Sequence, residues 1–180
     1  METRSLLNFI TVAETLNIGR AAVASEMLGL SEEVFGRTVA YLKERKQFGR
    51  PIGEFQGLQW MLADMQTQLT ASRLILYAAA RSHGPDGSAF PDPMLAAQAK
   101  IFAADTALKI VNDALQFFGA RGYSRELPLE RMARDVRMFS IGGGTTQVLR
   151  TLVASKMLGW KLPQTRDGYS PKPSMPDAAE

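Results

Sequence analysis

The sequence contains no cysteine and only one histidine in 180 residues. The lack of cysteine excludes disulfides, thiolate metal sites and cysteine nucleophiles. The histidine, His83, lies in the turn-forming stretch HGPDG, away from other reactive groups, so we expect a solvated loop residue. No metal site is expected, because the remaining ligand types do not occur at any recognised spacing.

Long apolar runs and a strong charge excess are also missing. Lys and Arg total 21 against 18 Asp and Glu, and no basic stripe is interleaved with aromatic residues, so a nucleic-acid partner is not expected. No run of about 18 apolar residues exists, which predicts no membrane span. The first residues, METRSLLNFITVAETLN, do not resemble a signal peptide. We therefore expect a soluble, cytoplasmic protein.

Apolar residues recur at intervals of three and four in three long segments, the spacing typical of helices packed nearly antiparallel in a bundle. The first stripe comprises Val23, Met27, Leu30, Val34 and Tyr41, the second Leu58, Leu62, Met65, Leu69, Ser72, Leu76 and Ala79, and the third Ile101, Ala104, Leu108, Val111, Leu115 and Phe118.

Turn-forming stretches separate these segments, and two further helices are predicted over about 127–139 and 145–160. No stretch resembles a β-strand. The pattern predicts an all-α protein, an up-down-up-down four-helix bundle with a short extra helix, over residues 1–160. The proline-rich residues 161–180 are expected to form an extended or disordered tail.

Three stretches combine residue types suited to anion binding. In YLKERKQFGRPIGEFQ, the cations Lys43, Arg45 and Lys46 could stabilise a helix C-terminus or bind a phosphate. In DALQFFGARGY, Gly119 could be a plain helix cap or could let a ligand approach the backbone, with Gln116 as its hydrogen-bonding partner.

The third stretch is IGGGTTQVLR, where three glycines precede Thr145, a plausible helix N-cap. Backbone N–H groups at such a terminus can bind an anion, although a flexible linker would have the same sequence. The spacing differs from that of a Walker loop, and no lysine follows the glycines.

The order of these motifs resembles the C-terminal helical domain of the acyl-CoA dehydrogenases. LNIGR, ERKQFGRPIGEFQ, FGARGY, RDVR and the GGT-led helix follow one another at the family's spacing, over about residues 10–160. The resemblance implies an all-α bundle, bound FAD, an acyl-CoA substrate, and a homodimer or homotetramer with contacts through this domain.

The resemblance also implies roles for individual residues. FAD contacts, some of them across a subunit boundary, are implied for Arg45, Gln47, Phe48, Gln56, Gln116, Gly119, Ala120, Thr145 and Gln147. Ala120 departs from the family pattern, because it stands where a second glycine is usual. Substrate contacts are implied for Asn17, Arg20 and Gly144.

Both positions that carry the catalytic base in the family are glycines here. A carboxylate removes the α-proton of the acyl thioester while the β-hydrogen leaves as hydride to the flavin. The matching positions are Gly143 in one branch of the family and Gly19 in another, so no catalytic residue is predicted. Glu26 lies two helical turns beyond Gly19 and is expected to be a structural or surface carboxylate, and Glu14 is no better supported as a base.

Family members carry a helical domain and a β domain before this one, which implies a fragment, a truncated form or a natural stand-alone module. The resemblance implies a domain or subunit of a FAD-dependent acyl-CoA dehydrogenase of fatty acid metabolism, inactive alone and completed by a chain that supplies the missing domains. Two alternatives remain open: a non-catalytic dimerisation or partner module, and a relative of the flavin monooxygenase type.

Overall fold

The structure is a computed structural model, which describes the backbone of residues 2–82 and 91–159 and the side chains from residue 15 onward. His83, most of the turn-rich loop around it, the side chain of Glu14 and the tail 161–180 lie outside the described residues. The predictions for these parts stay predictions.

The described chain is almost entirely helical, which confirms the all-α prediction. Its helices are α1 (Glu2–Glu44), α2 (Gln56–Arg81), α3 (Pro93–Phe118), α4 (Ala120–Tyr123), α5 (Leu129–Phe139) and α6 (Thr146–Leu158). The two later helices lie where the sequence predicted them, and α5 is the expected short extra helix. The four-residue α4 was not predicted.

Helix α3 is the central element, because it packs against α1, α2, α4, α5 and α6. Its small residues Ala103, Ala107 and Ala114 are buried together with the predicted stripe residues Ala104 and Val111. The predicted stripe on this helix was therefore too narrow. Small side chains allow neighbouring helices to approach α3 on several sides at once. These contacts fix the position of α3 relative to the other helices.

Local signals explain where α3 and α6 begin. Asp92 caps α3, because its carboxylate accepts hydrogen bonds from the amides of Met94 at 2.9 Å and Leu95 at 2.8 Å. Thr145 caps α6 through its hydroxyl, which accepts from the amide of Val148 at 3.2 Å. The predicted cap at Thr145 is confirmed.

The expectation that the chain has no strand was wrong at one point. Strands β1 (Lys46–Gln47) and β2 (Arg50–Pro51) form a minimal antiparallel hairpin, followed by a 3₁₀ turn at Ile52–Glu54. Phe48 and Gly49 both have positive φ, 52° and 82°, as a two-residue hairpin turn requires. A phenylalanine rarely adopts this conformation, so the sequence did not signal the turn.

None of the described helices combines the length and the apolar character needed to cross a membrane.

Candidate functional site

A cavity of about 470 Å³ lies where the end of α1, the hairpin and the end of α3 meet. Five of the residues predicted to bind the cofactor line it together: Arg45, Gln47, Gln116, Gly119 and Ala120. These residues are up to 75 positions apart in the sequence (Arg45 to Ala120). The fold thus joins two of the three predicted anion-binding stretches in one site.

The cavity wall contains features that the sequence did not indicate. Tyr41 and Phe118 stack with ring centroids 4.1 Å apart, and the guanidinium carbon of Arg121 lies 5.9 Å from the centre of the Tyr41 ring. Arg121 also lines the cavity, so two guanidinium groups face it, with no carboxylate among the described lining residues. Arginines, amides and aromatic rings without an acidic group suit a dianionic phosphate ester joined to a flat base.

Gly119 is needed at this cavity for its backbone conformation. It ends α3 with φ 56° and ψ −135°, a region that glycine alone occupies readily. The chain reverses there and enters α4 at Ala120, which places both residues at the cavity. Ala120, at the position of the family's second glycine, has no positive φ.

Two other residues predicted to contact the cofactor do not line this cavity. Phe48 is 91% exposed at the tip of the hairpin, with its ring edge-on to Phe55 at 6.1 Å. Gln56 is the exposed first residue of α2. Exposure leaves both free to contact a group outside the chain, but nothing in the described contacts assigns them to the cavity.

A second cluster lies around the glycine loop before α6. Lys100 of α3 is fully buried, and its Nζ donates a hydrogen bond to the Gly144 carbonyl oxygen at 2.8 Å. Burial lowers the pKa of Lys100, repulsion from Arg20 lowers it further, and Asp105 opposes both. Lys100 was not among the predicted residues; the available signal was a single cation within the alanine-rich stretch AAQAKIFAA.

Arg20 and Asn17, predicted to contact substrate, are joined to each other. Arg20 Nη1 donates to Asn17 Oδ1 at 2.8 Å, and Asn17 is buried. Arg20 Nε is buried with no partner among the described residues, and burial lowers the pKa of this side chain. An unpaired buried donor is costly, so this atom is suited to an acceptor from outside the described chain.

The two glycines predicted to stand at the family's base positions have room for a side chain. A Cβ atom added at Gly143 or Gly19 would meet no described atom within 4 Å, but Gly143 has φ 69°, which strains other residues. Glu26 is exposed, in keeping with the expected surface carboxylate.

The remaining predicted residues lie at the start of α6. Gly144 has φ 94° and precedes Thr145, which caps the helix as described above. Gln147 is exposed, and its side-chain oxygen lies 3.3 Å from the Thr146 hydroxyl. These residues belong to the second cluster and not to the cavity.

The two clusters are well separated along α3. Lys100 belongs to one and Gln116 to the other, and 16 residues of helix span about 24 Å at 1.5 Å per residue. No group of three or more acidic or histidine side chains within the described ranges could hold a metal ion.

The model of the family described as "Acyl-CoA dehydrogenase, C-terminal domain" matches residues 9–158. A 3-sulfinopropanoyl-CoA desulfinase of Advenella mimigardefordensis is 58% identical over 161 residues, 89% of this chain and 39% of the desulfinase. The enzyme of the same name from Cupriavidus necator is 54% identical over 164 residues, 91% of this chain and 40% of that protein. The chain thus spans about two fifths of these relatives.

Among solved structures, butyryl-CoA dehydrogenase from Megasphaera elsdenii superposes with a TM-score of 0.76 at 37% identity, over 82% of this chain and 38% of that one. The family model, over residues 9–158, includes the helices that carry both clusters. The chain therefore belongs to the acyl-CoA dehydrogenase family, of which it carries the C-terminal domain.

Proposed function

We propose that the chain is the part of an acyl-CoA-processing flavoenzyme that holds FAD and one side of the acyl-CoA pocket. The cavity supports the first role, because two arginines, two glutamines and a stacked aromatic pair fit a pyrophosphate and an adenine ring. Arg45, Arg121 and Gln116 would hold that part of the cofactor. When bound, a flavin can accept or return a hydride.

We further propose that the enzyme removes sulfinate from a 3-sulfinoacyl-CoA and does not desaturate an acyl chain. The proposal is carried by the glycines Gly143 and Gly19, which the family resemblance implies stand at the two base positions. Desaturation needs a carboxylate near the α-carbon. Loss of sulfinate needs no such base for its overall balance, since the substrate and water give propanoyl-CoA and hydrogen sulfite without an external oxidant.

The names of the relatives support the same reaction, because the desulfinases share 58% and 54% identity with this chain. Desaturation is the second candidate, favoured by the superposition on a butyryl-CoA dehydrogenase. In that case the base would come from a part of the protein outside this chain.

A chimera separates these candidates. The C-terminal domain of the Advenella desulfinase is replaced by this chain, and flavin content, sulfite release from 3-sulfinopropanoyl-CoA and flavin bleaching by butanoyl-CoA are measured. We expect a yellow protein that releases sulfite and is not bleached. Bleaching without sulfite release would establish desaturation, and a folded but colourless chimera would favour the non-catalytic partner module.

We also propose self-association of this domain, as in the oligomers of the family. Trp60, Leu74 and Tyr77 on α2 are 64%, 64% and 54% exposed. Light scattering of the purified chain should give the mass of a dimer or tetramer. Leu74→Glu should lower that mass, whereas Gln66→Glu, on an exposed residue of the same helix, should not.

A further inference from the structure

Lys100 is the largest of the fully buried side chains. Taking an ammonium group out of water is costly, so a lysine kept at such a position needs compensating contacts. The hydrogen bond from its Nζ to the Gly144 carbonyl, 44 residues away, is the contact that the structure provides. Lys100 therefore links α3 to the glycine loop before α6.

The charges around Lys100 show that it does not serve a nearby carboxylate. Asp105 is the acidic group that influences it, but Asp105 already pairs with Arg150 of α6, 2.5 Å between Oδ2 and Nη2. Arg20 and the N-terminus of α6 add further positive potential at this place. Within the described part of the chain, the ammonium thus acts chiefly as a donor to a backbone carbonyl.

The peptide that Lys100 contacts follows two glycines whose backbone restricts its orientation little. Gly143 and Gly144 both have positive φ, 69° and 94°, and glycine populates several backbone regions at similar energy. In a trans peptide the carbonyl of one residue and the N–H of the next point in opposite directions. Holding the Gly144 carbonyl inward therefore directs the Thr145 N–H away from Lys100.

We propose that Lys100 is a positioning residue that selects one orientation of the Gly144–Thr145 peptide and so fixes the loop of residues 142–145 at the start of α6. Its consequence for substrate rests on the proposed function, together with the substrate contact that the family resemblance implies for Gly144. The amide of Thr146, directly after the loop, is suited to report its order, because it donates to the Ser140 carbonyl at 3.1 Å across the loop.

The test compares Lys100→Met, which keeps the unbranched chain but removes the donor, with Lys109→Met. Lys109 lies on the same helix, and its partner is Asp113, four residues on. Hydrogen exchange is measured at the amides of Thr146 and of Leu69 in α2, with no ligand present. Lys100→Met should speed exchange at Thr146 about ten-fold or more relative to Leu69, as loss of a charged hydrogen bond implies.

Lys100→Met should also shift the Gly144 carbonyl carbon resonance, a change that loss of general stability would not produce selectively. Lys109→Met should leave both readouts as in the wild type. Equal acceleration at Thr146 and Leu69, or an unshifted Gly144 carbonyl, would overturn the proposal.

The wild-type protein provides a readout if the variant does not fold. A buried, hydrogen-bonded ammonium should give a slowly exchanging Nζ proton signal for Lys100, and Lys109 should not. Exchange equally fast at both lysines would contradict the proposal. None of these measurements uses FAD or acyl-CoA, so failure of the chimera to bind FAD or to release sulfite would refute the proposed function while leaving the role of Lys100 intact.

Discussion

At the scale of single residues, Arg121 gives the cavity a second guanidinium that the family pattern did not indicate. It lies over the Tyr41 ring, and that ring stacks on Phe118. Contact with an aromatic face limits the freedom of the guanidinium, so less entropy is lost when it binds an anion. Arg121 is therefore expected to add to Arg45 in binding a pyrophosphate.

Replacing Arg121 by Gln should weaken binding of ADP, the adenine and pyrophosphate portion of the cofactor, about 5- to 10-fold, because one charge-assisted contact is lost. Titration calorimetry of the purified chain measures the effect. Arg125→Gln is the matched control, since Arg125 is exposed and does not line the cavity. An equal loss in both variants would mean that net charge matters and not this position.

A substitution at Gly143 tests the prediction that this residue stands at a base position of the family. Gly143→Glu should fold, because the space around the added Cβ is open, but it should cost about 1 kcal/mol for a left-handed backbone. Thermal unfolding would detect this as a melting temperature lower by about 2–4 °C.

In the chimera described above, Gly143→Glu should introduce bleaching of the flavin by butanoyl-CoA. The variant Gly143→Gln, of similar size but without a carboxylate, should not. If the Glu variant binds FAD and is still not bleached, Gly143 does not occupy the place of a catalytic base.

At the scale of elements, the turn from α3 into α4 depends on a close approach at Gly122. A Cβ atom there would lie 2.9 Å from the Leu115 carbonyl oxygen and 3.0 Å from the Phe118 Cβ. Gly122→Ala should therefore destabilise the fold by about 1–3 kcal/mol. Gly36→Ala, in open space inside α1, should stabilise it by about 0.5–1 kcal/mol. The change in the free energy of unfolding of each variant relative to the wild type is measured by urea unfolding. Changes of the same sign in both variants would refute this account.

The sequence predicted the elements whose signals are local. The second stripe identified α2 because its burial follows the three-and-four spacing, and Met65, Leu69 and Ala79 are indeed buried. The hairpin was missed because its left-handed residue is Phe48, and α4 because four residues carry no periodicity. Lys100 was missed because its contact with Gly144 spans 44 residues, which no local pattern reports.

The candidate sites were predicted in the same uneven way. The motifs identified Arg45, Gln47, Gln116, Gly119 and Ala120, which the fold brings to one cavity. The motifs could not indicate that some of the predicted residues lie at the cavity and others in the cluster around the glycine loop. That division follows from the length of α3, because motifs adjacent to opposite ends of one helix cannot meet.

At the scale of the whole molecule, the two clusters lie too far apart for close contact, about 24 Å along α3. One chain could contact an extended cofactor with one cluster and the acyl-CoA pocket with the other, or the two clusters could serve different cofactor molecules in an oligomer. The second arrangement agrees with the contacts across a subunit boundary that the family resemblance implies. Either way, α3 must stay rigid, and its burial on several sides provides this.

Lys100, the buried cation on α3, should also make the global stability of the protein depend on pH. Because burial lowers the pKa of Lys100 in the folded state, the unfolded chain binds a proton at this side chain more tightly. The contribution of Lys100 to the free energy of unfolding therefore rises with pH. The rise extends over the pH window between the lowered pKa and the ordinary lysine pKa, and the contribution is constant outside that window.

Many other groups titrate at alkaline pH, so the effect is measured as a difference between proteins. The free energy of unfolding of the wild type minus that of Lys100→Met, from urea unfolding, should increase as the pH is raised through this window. The guanidinium of Lys100→Arg does not titrate in this window. The free energy of unfolding of this variant should therefore depend on pH as that of Lys100→Met does. A flat difference would mean that folding does not shift the pKa of Lys100, and a difference that falls with pH would mean that folding raises it. Either result would contradict the expected desolvation of this ammonium.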